Sequence, residues 1–373
     1  MNSNTNSRQS TNTRIYYFDA IKTLAIFLVI FVHYPMISDS IPSNLSMLLT
    51  YVAVPLFFMV NGALLLRKPI DVKKHYKKVI HLILVTILWK IIYIVGPLLV
   101  GRIFSNDLTP LNIITTLTSN NNIKSVPTEH LWFMYSLIGV YIILPFIQTF
   151  IGNNKKRYNI ILAMSLLLSF GASFLGDISL LLSRLFATPT FNFSSMVAAF
   201  IPVSSLNIIA LMLTGNKLHN FLKDSKNKKN IFSRPIHTII ASILLYLLGF
   251  FIFSICLYAR EGKYMTGGYA GIPGAYSELG ILLMSISVFI GANVLFKKKN
   301  CLLTLVGSRT MNIYLIHMFI CVLFNQYLRS NLHHLHPGAP ANLIRTIIVF
   351  AISFGITELL RQSKMLKKLL GLA

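Results

Sequence analysis

Residues 16–34 read YYFDAIKTLAIFLVIFVHY, an apolar run interrupted by Asp19, Lys22 and His33. About 20 such residues, wound as a helix at roughly 1.5 Å per residue, cross the hydrocarbon core of a bilayer. On that helix Asp19 and Lys22 are three residues apart, share a face and neutralise one another. Lys22 and His33 are eleven apart, about three turns, so they too project from one face, separated by roughly 16 Å along the axis. A charge or an imidazole inside a membrane must find a partner or line a wet cavity. The spacing admits two readings: a lysine that snorkels to the interface above a hydrogen-bonded histidine, or one helix face that carries a site.

Similar apolar runs recur along the chain, near residues 16–36, 47–66, 79–100, 131–151, 158–175, 196–215, 236–257, 278–296, 302–326 and 342–360. Apolar residues make up 54% of the 373 and charged residues only 12%, with a mean hydropathy of +0.66, which excludes an ordinary soluble domain. The net charge of +24 would suggest a nucleic-acid partner in a soluble protein. Here, however, 24 of the 34 cations fall in alternate connections on one side of the expected membrane and 6 on the other. By the positive-inside rule both termini are cytoplasmic and no nucleic acid need be invoked. The remaining cations, Lys22, Lys90, Arg309 and Arg345, lie in or at the ends of spans. The sequence thus predicts an all-α, polytopic membrane bundle of about ten transmembrane helices, its first span acting as an uncleaved signal anchor. It divides into a polar cytoplasmic tail (1–14), a membrane domain (15–361) and a basic cytoplasmic tail (362–373), and belongs in the cell membrane.

Three further stretches place polar groups in apolar surroundings. EHLWFMYSLIGVYIILPF (129–146) puts Glu129 and His130 at the outer end of span four, at a depth similar to His33, with Glu129 a candidate to orient or charge a histidine. GSRTMNIYLIHMFI (307–320) sets Tyr314 and His317 three apart within span nine, as a structural pair or as part of a site. RKPIDVKKHYKKVIHL (67–82) leads from the cytoplasm into span three. Such a run determines topology and touches anionic lipid head groups, and its clustered cations also suit a phosphate-bearing ligand. Cys256, Cys301 and Cys321 lack metal or redox spacing, and His333, His334 and His336 have no acid or thiol nearby to complete a metal set, so no metal is expected. Neither a GxSxG elbow nor an HExxH motif occurs, and the glycines of 267–276 lack the strand–turn–helix context of a phosphate loop.

Taken together, the first span, VPLFFMVNGALLL (54–66), YKKVIHLILVTILW (76–89), HLWFMYSLIGVYIILP (130–145) and SRTMNIYLIH (308–317) resemble, in order, the acyltransferase-3 family of integral membrane acyltransferases over about residues 14–360. That family opens with an acidic residue, a basic residue and a histidine after ten intervening positions, matched by Asp19, Lys22 and His33. The resemblance implies transfer of an acyl group, usually acetyl, from acyl-coenzyme A to a hydroxyl of an envelope glycan or glycolipid. It implies a catalytic His33, as general base or transient acyl carrier, donor handling at Lys22, and no permanently bound cofactor, the acyl-CoA being a substrate. Where the family often carries two arginines three apart at the start of span three, this chain has Lys78 and His81, which lack the bidentate phosphate contacts of arginine. The resemblance is to members without an appended extracytoplasmic esterase-like domain, so the membrane part is expected to serve the acceptor itself.

The expected site therefore has Asp19, Lys22 and His33 as catalytic group, with Lys77 and Lys78 receiving donor phosphates and Glu129, His130, Tyr314 and His317 orienting groups or binding the acceptor. The competing reading is a polytopic transporter or flippase of an envelope precursor. Matched pairs of interrupted helices would favour it, and the sequence has none.

Overall fold

The computed structural model describes residues 14–33, 48–99, 109–118, 128–200, 203–225, 234–262, 275–331 and 339–371. His333, His334, His336 and most of the 267–276 glycine stretch lie outside them. Among the described residues the fold is entirely helical.

The helices are α1 (Tyr16–Val32), α2 (Ala53–Leu65), α3 (Val72–Leu99), α4 (Pro110–Thr118), α5 (Trp132–Ile151), α6 (Lys155–Leu166), α7 (Ala172–Phe186), α8 (Phe193–Ala198), α9 (Val203–Ser225), α10 (Pro235–Glu261), α11 (Leu279–Leu295), α12 (Cys301–Gly307), α13 (Thr310–Asn331), α14 (Ala339–Gln362) and α15 (Lys364–Leu369). The ten expected spans are mostly helical where they are described, with turns breaking them at 51–52, 199–200 and 308–309. Length and apolarity sufficient to cross a membrane belong to six helices among these residues, or seven with the α12–α13 pair counted as one bent span. The others fall short for identifiable reasons. α1 and α11 have 17 residues each, and α9 carries Asn207, Asn216, Lys217 and His219 along its length. The fifth span is longer than its apolar core suggests, because α6 and α7 run on as one 32-residue helix through a π turn at Leu167–Gly171. Arg184 does not stop it: its guanidinium donates to the carbonyls of Ala259 (2.6 Å) and Arg260 (2.8 Å) on α10.

Local signals set many of the helix ends. Asn154 caps α6 by accepting from the Lys156 and Arg157 amides, and Asn300 caps α12 through the Leu303 amide. Pro235 opens α10, and Gly262, left-handed at φ 70°, closes it.

α1 is the central post, packed against α2, α11, α12, α13 and α14. Its buried residues Phe18, Ile21, Ala25, Ile26, Val29 and Ile30 belong to the main apolar core. The outer face of α10, with Ile236, Ile240, Leu244, Leu247 and Phe251 exposed, suits lipid rather than water. Two glycines bring α2 and α9 into backbone contact, as is common between membrane helices. A Cβ on Gly62 would stand 2.0 Å from the Met212 carbonyl oxygen, and one on Gly215 2.1 Å from that of Met59.

α12 and α13 meet at 72°. The bend follows Gly307, which lies so close to α1 that a Cβ there would meet Asp19 Cα at 2.7 Å. Beyond it Arg309 turns to Glu358 on α14, with Nε 2.6 Å from Oε1. The last residues dock on α3, where the Trp89 indole N–H donates to the Leu370 carbonyl (3.2 Å).

Candidate active site

α1 ends at His33, whose backbone N–H still bonds to the Ile30 carbonyl (3.2 Å), so the helix terminus itself fixes where the imidazole emerges. A short 3₁₀ turn, Glu129–Leu131, presents the buried His130 just before α5, and α13 presents the fully buried His317. The three rings converge. Their centroids are 5.2 Å apart for His33 and His317, 5.3 Å for His130 and His317, and 6.4 Å for His33 and His130.

Two tyrosines hold this group in place. The Tyr93 hydroxyl on α3 donates to the Leu315 carbonyl (2.9 Å), and its ring lies 5.0 Å from His130. The Tyr314 hydroxyl donates to the His130 carbonyl, fixing the 3₁₀ turn against α13. His317 Nδ1 lies 2.6 Å from the Tyr314 carbonyl oxygen. A carbonyl only accepts, so Nδ1 carries the proton, and in the neutral ring Nε2 keeps the basic lone pair. That Nε2 is buried and has no hydrogen-bond partner among the described residues. A buried nitrogen with an open valence is costly unless something else uses it.

At the other end of α1, Asp19 is buried and doubly paired, with Arg14 Nε at 2.7 Å and Lys22 Nζ at 3.0 Å. The hydrogen bond to this carboxylate holds the Arg14 guanidinium above its ordinary pKa. Lys22 also lines a cavity of about 160 Å³ with Asn61, Lys78, Tyr141, Thr310 and Tyr314. The Tyr141 hydroxyl donates to Asn61 Oδ1 (3.1 Å), and Lys78 lies 5.3 Å from the Tyr141 ring centre. Tyr314 therefore walls the cavity and also lies beside His130 and His317, its ring 5.6 Å from each.

The expected residues thus fall into two linked groups: Lys22 and Lys78 at the cavity, with Asp19 paired to Lys22 behind it, and His33, His130 and His317 beyond Tyr314. Two expected members stay outside. Lys77 lies one residue round α3 from Lys78 and does not line the cavity, and Glu129 is exposed on the same 3₁₀ turn that buries His130. His75 is structural, its Nε2 on the Tyr141 carbonyl at 2.7 Å, and His81 is exposed. Lys90 is buried, donating to the Thr116 carbonyl over the Tyr135 ring. Tyr93, Asn61 and Tyr141 were not singled out in the sequence. Asn61, an amide within an apolar run, was the readable signal for the cavity.

A second buried polar group also escaped the sequence reading. Arg260 on α10 donates through Nε to Asp177 Oδ1 (2.6 Å) and through its terminal nitrogen to Asp177 Oδ2 (3.1 Å) and to Glu278. Asp177, Cys256 and Glu278 form the one grouping of potential metal ligands among the described residues, and the guanidinium already bonds both carboxylates.

A family model described as an acyltransferase domain matches residues 15–360. No curated protein and no solved structure matches the chain.

Proposed function

The chain belongs to the acyltransferase-3 family, a family of membrane acyltransferases, and on that footing we propose that it transfers an acyl group, usually acetyl, from acyl-coenzyme A to a hydroxyl of an envelope glycan or glycolipid in the cell membrane. The observation that carries the reading is the convergence of His33, His130 and His317 on one side of Tyr314, with the Lys22 and Lys78 cavity on the other.

In this reading the donor approaches from the basic end of the bundle. A cavity of about 160 Å³ is too small for a whole coenzyme, so it takes the slender pantetheine arm while the phosphates stay at its mouth near Lys22 and Lys78. The arm runs along α1 toward the imidazoles. His33 takes the proton of the acceptor hydroxyl as its oxygen attacks the thioester carbonyl. The carbon–sulfur bond then breaks, and the imidazolium returns the proton to the departing thiolate, leaving ester and free thiol. His317 and His130 hold His33 and the acceptor in register. Asp19, paired with Arg14 and Lys22, sets the lysine in position and does not touch the reacting atoms.

The test uses the full chain in proteoliposomes, radiolabelled acetyl-CoA and an envelope glycan extract. The wild type should label the glycan, and His33→Ala should lower the rate by about 10² to 10⁴. Undiminished labelling by His33→Ala would sink this mechanism. If labelled precursor crosses the bilayer without any acyl transfer, the transporter reading is the correct one.

A further inference from the structure

Ala20, Thr23, Leu24 and Phe27 recur on α1 at the spacing of one helix face, the face opposite Lys22 and His33. With α10, α11, α12 and α14 they wall a groove of about 820 Å³. Ile243 and Leu247 on α10 and Ile347 on α14 line it and are also exposed, so it opens sideways between two helices long and apolar enough to cross a membrane. Gly291 on α11 deepens it, since a Cβ there would come no closer than 3.9 Å to the Ser242 side chain.

Hydroxyls along the walls are already spent. Thr23 donates to the Asp19 carbonyl (2.9 Å), Ser242 to the Thr238 carbonyl (2.8 Å) and Ser287 to the Ser242 carbonyl (2.5 Å). The walls therefore offer hydrocarbon, and an occupant that enters from the bilayer is a lipid chain. Charge at one end selects the kind of lipid. α11 lines the groove through Leu295, Phe296 follows it, and α12 contributes Leu303, so the connection between them stands at that end and carries Lys297, Lys298 and Lys299 there. All three are exposed, and none pairs with a described carboxylate. Lysines at a membrane boundary attract anionic head groups.

We propose that this groove binds an anionic phospholipid, an acyl chain laid against α1 and the phosphate at Lys297, Lys298 and Lys299. Arg14, just before α1, donates to the Thr304 carbonyl of α12 (2.8 Å), so the charged end is the one away from His33. The groove stops at Phe27, six residues or about 9 Å short of His33. A lipid held this way keeps its head group away from the imidazoles and buttresses α1 from behind, so the site stands apart from acyl transfer and does not depend on it.

The full chain is placed in nanodiscs with equal amounts of phosphatidylglycerol and phosphatidylcholine of identical chains, and lipid retained on release is counted by native mass spectrometry. In a second arm a phosphatidylglycerol with a diazirine at its chain end is irradiated and the adducts are mapped. The wild type should retain phosphatidylglycerol about tenfold over phosphatidylcholine, with adducts in α1, α10 or α11 along the groove. Gly291→Phe, which fills the groove, should lower that retention about tenfold, and Lys297→Gln/Lys298→Gln/Lys299→Gln should bring it down to the level of phosphatidylcholine. Lys364→Gln/Lys367→Gln/Lys368→Gln, equally basic on α15, should leave it unchanged. The exposed lysines keep the test valid if Gly291→Phe fails to fold. Equal retention of the two lipids by the wild type, or wild-type retention by a folded Gly291→Phe or by the Lys297–299 variant, would overturn the proposal. So would displacement of the adducts by palmitoyl-CoA, which would give the groove to the chain of a donor instead.

Discussion

The histidine cluster and the Arg260 knot are both buried, both polar and both assembled from residues far apart in the chain. They differ in what remains unspent. In the knot one guanidinium bonds two carboxylates, so opposite charges face each other across α7, α10 and the start of α11, and the energy goes into holding helices together. In the cluster the rings carry no facing carboxylate from Glu129, and His317 keeps a basic nitrogen without a partner among the described residues. A guanidinium locked between carboxylates builds architecture, and an imidazole nitrogen with no acid facing it is available to a reaction.

That contrast is open to experiment. His33→Ala should cost about 10² to 10⁴ in acyl transfer with the midpoint of thermal unfolding unchanged; a midpoint that falls together with activity would make His33 a packing residue. Arg260→Ala should do the reverse. It strands two buried carboxylates and should destabilise the fold by about 3 to 5 kcal/mol, read as a lowered unfolding midpoint, while transfer per folded molecule holds. An unchanged midpoint would remove the knot from the architecture. Lys22→Gln is an intermediate case. Arg14 remains to compensate Asp19, so stability should move by less than about 1 kcal/mol, whereas the apparent KM for acyl-CoA should rise about tenfold with kcat little changed, as loss of one charge-assisted contact predicts. The smallest effect is expected of Tyr314→Phe, which deletes the bond to the His130 carbonyl and should lower transfer by about three- to tenfold. A full loss of transfer would give the hydroxyl itself a chemical role.

The two regions also differ in how far the sequence reveals them. Asp19, Lys22 and His33 are legible because helix periodicity within one apolar run fixes their common face. His130 and His317 are legible as polar residues in apolar spans, but their meeting with His33 is not, since it depends on how α1, α5 and α13 pack. The largely helical character of the expected segments follows from apolar length. The long α6–α7 helix and the bent α12–α13 pair do not, because the first depends on carbonyls of α10 accepting Arg184 and the second on Gly307 pressing against Asp19. The Arg260 knot was hidden for a similar reason. Asp177 lies within an expected loop and Glu278 at a span boundary, where charge is unremarked, and only the fold brings them to one guanidinium. Glu129 shows the converse limit: adjacency in sequence to His130 places it on the exposed side of the 3₁₀ turn that buries the imidazole.

The π turn at Leu167–Gly171 has a bearing on how this helix tolerates insertions and deletions. A π turn holds about one residue more than the α-helical turn it replaces, so it acts as a phase adjuster between two halves that answer to different neighbours. α6 is keyed to α9 through the Tyr158 hydroxyl on the Leu213 carbonyl (2.6 Å), and α7 is keyed to α10 through Asp177. Deleting a single residue within the turn would let it relax to regular α-helix with α7 still in phase with α6, whereas deleting one between the turn and Asp177 would rotate the rest of α7 by about 100°, swinging Asp177 off Arg260 while every apolar residue of the span stayed at nearly the same depth. One joint of this helix thus absorbs a change of length that the rest of it would register as rotation, independently of its hydrophobicity.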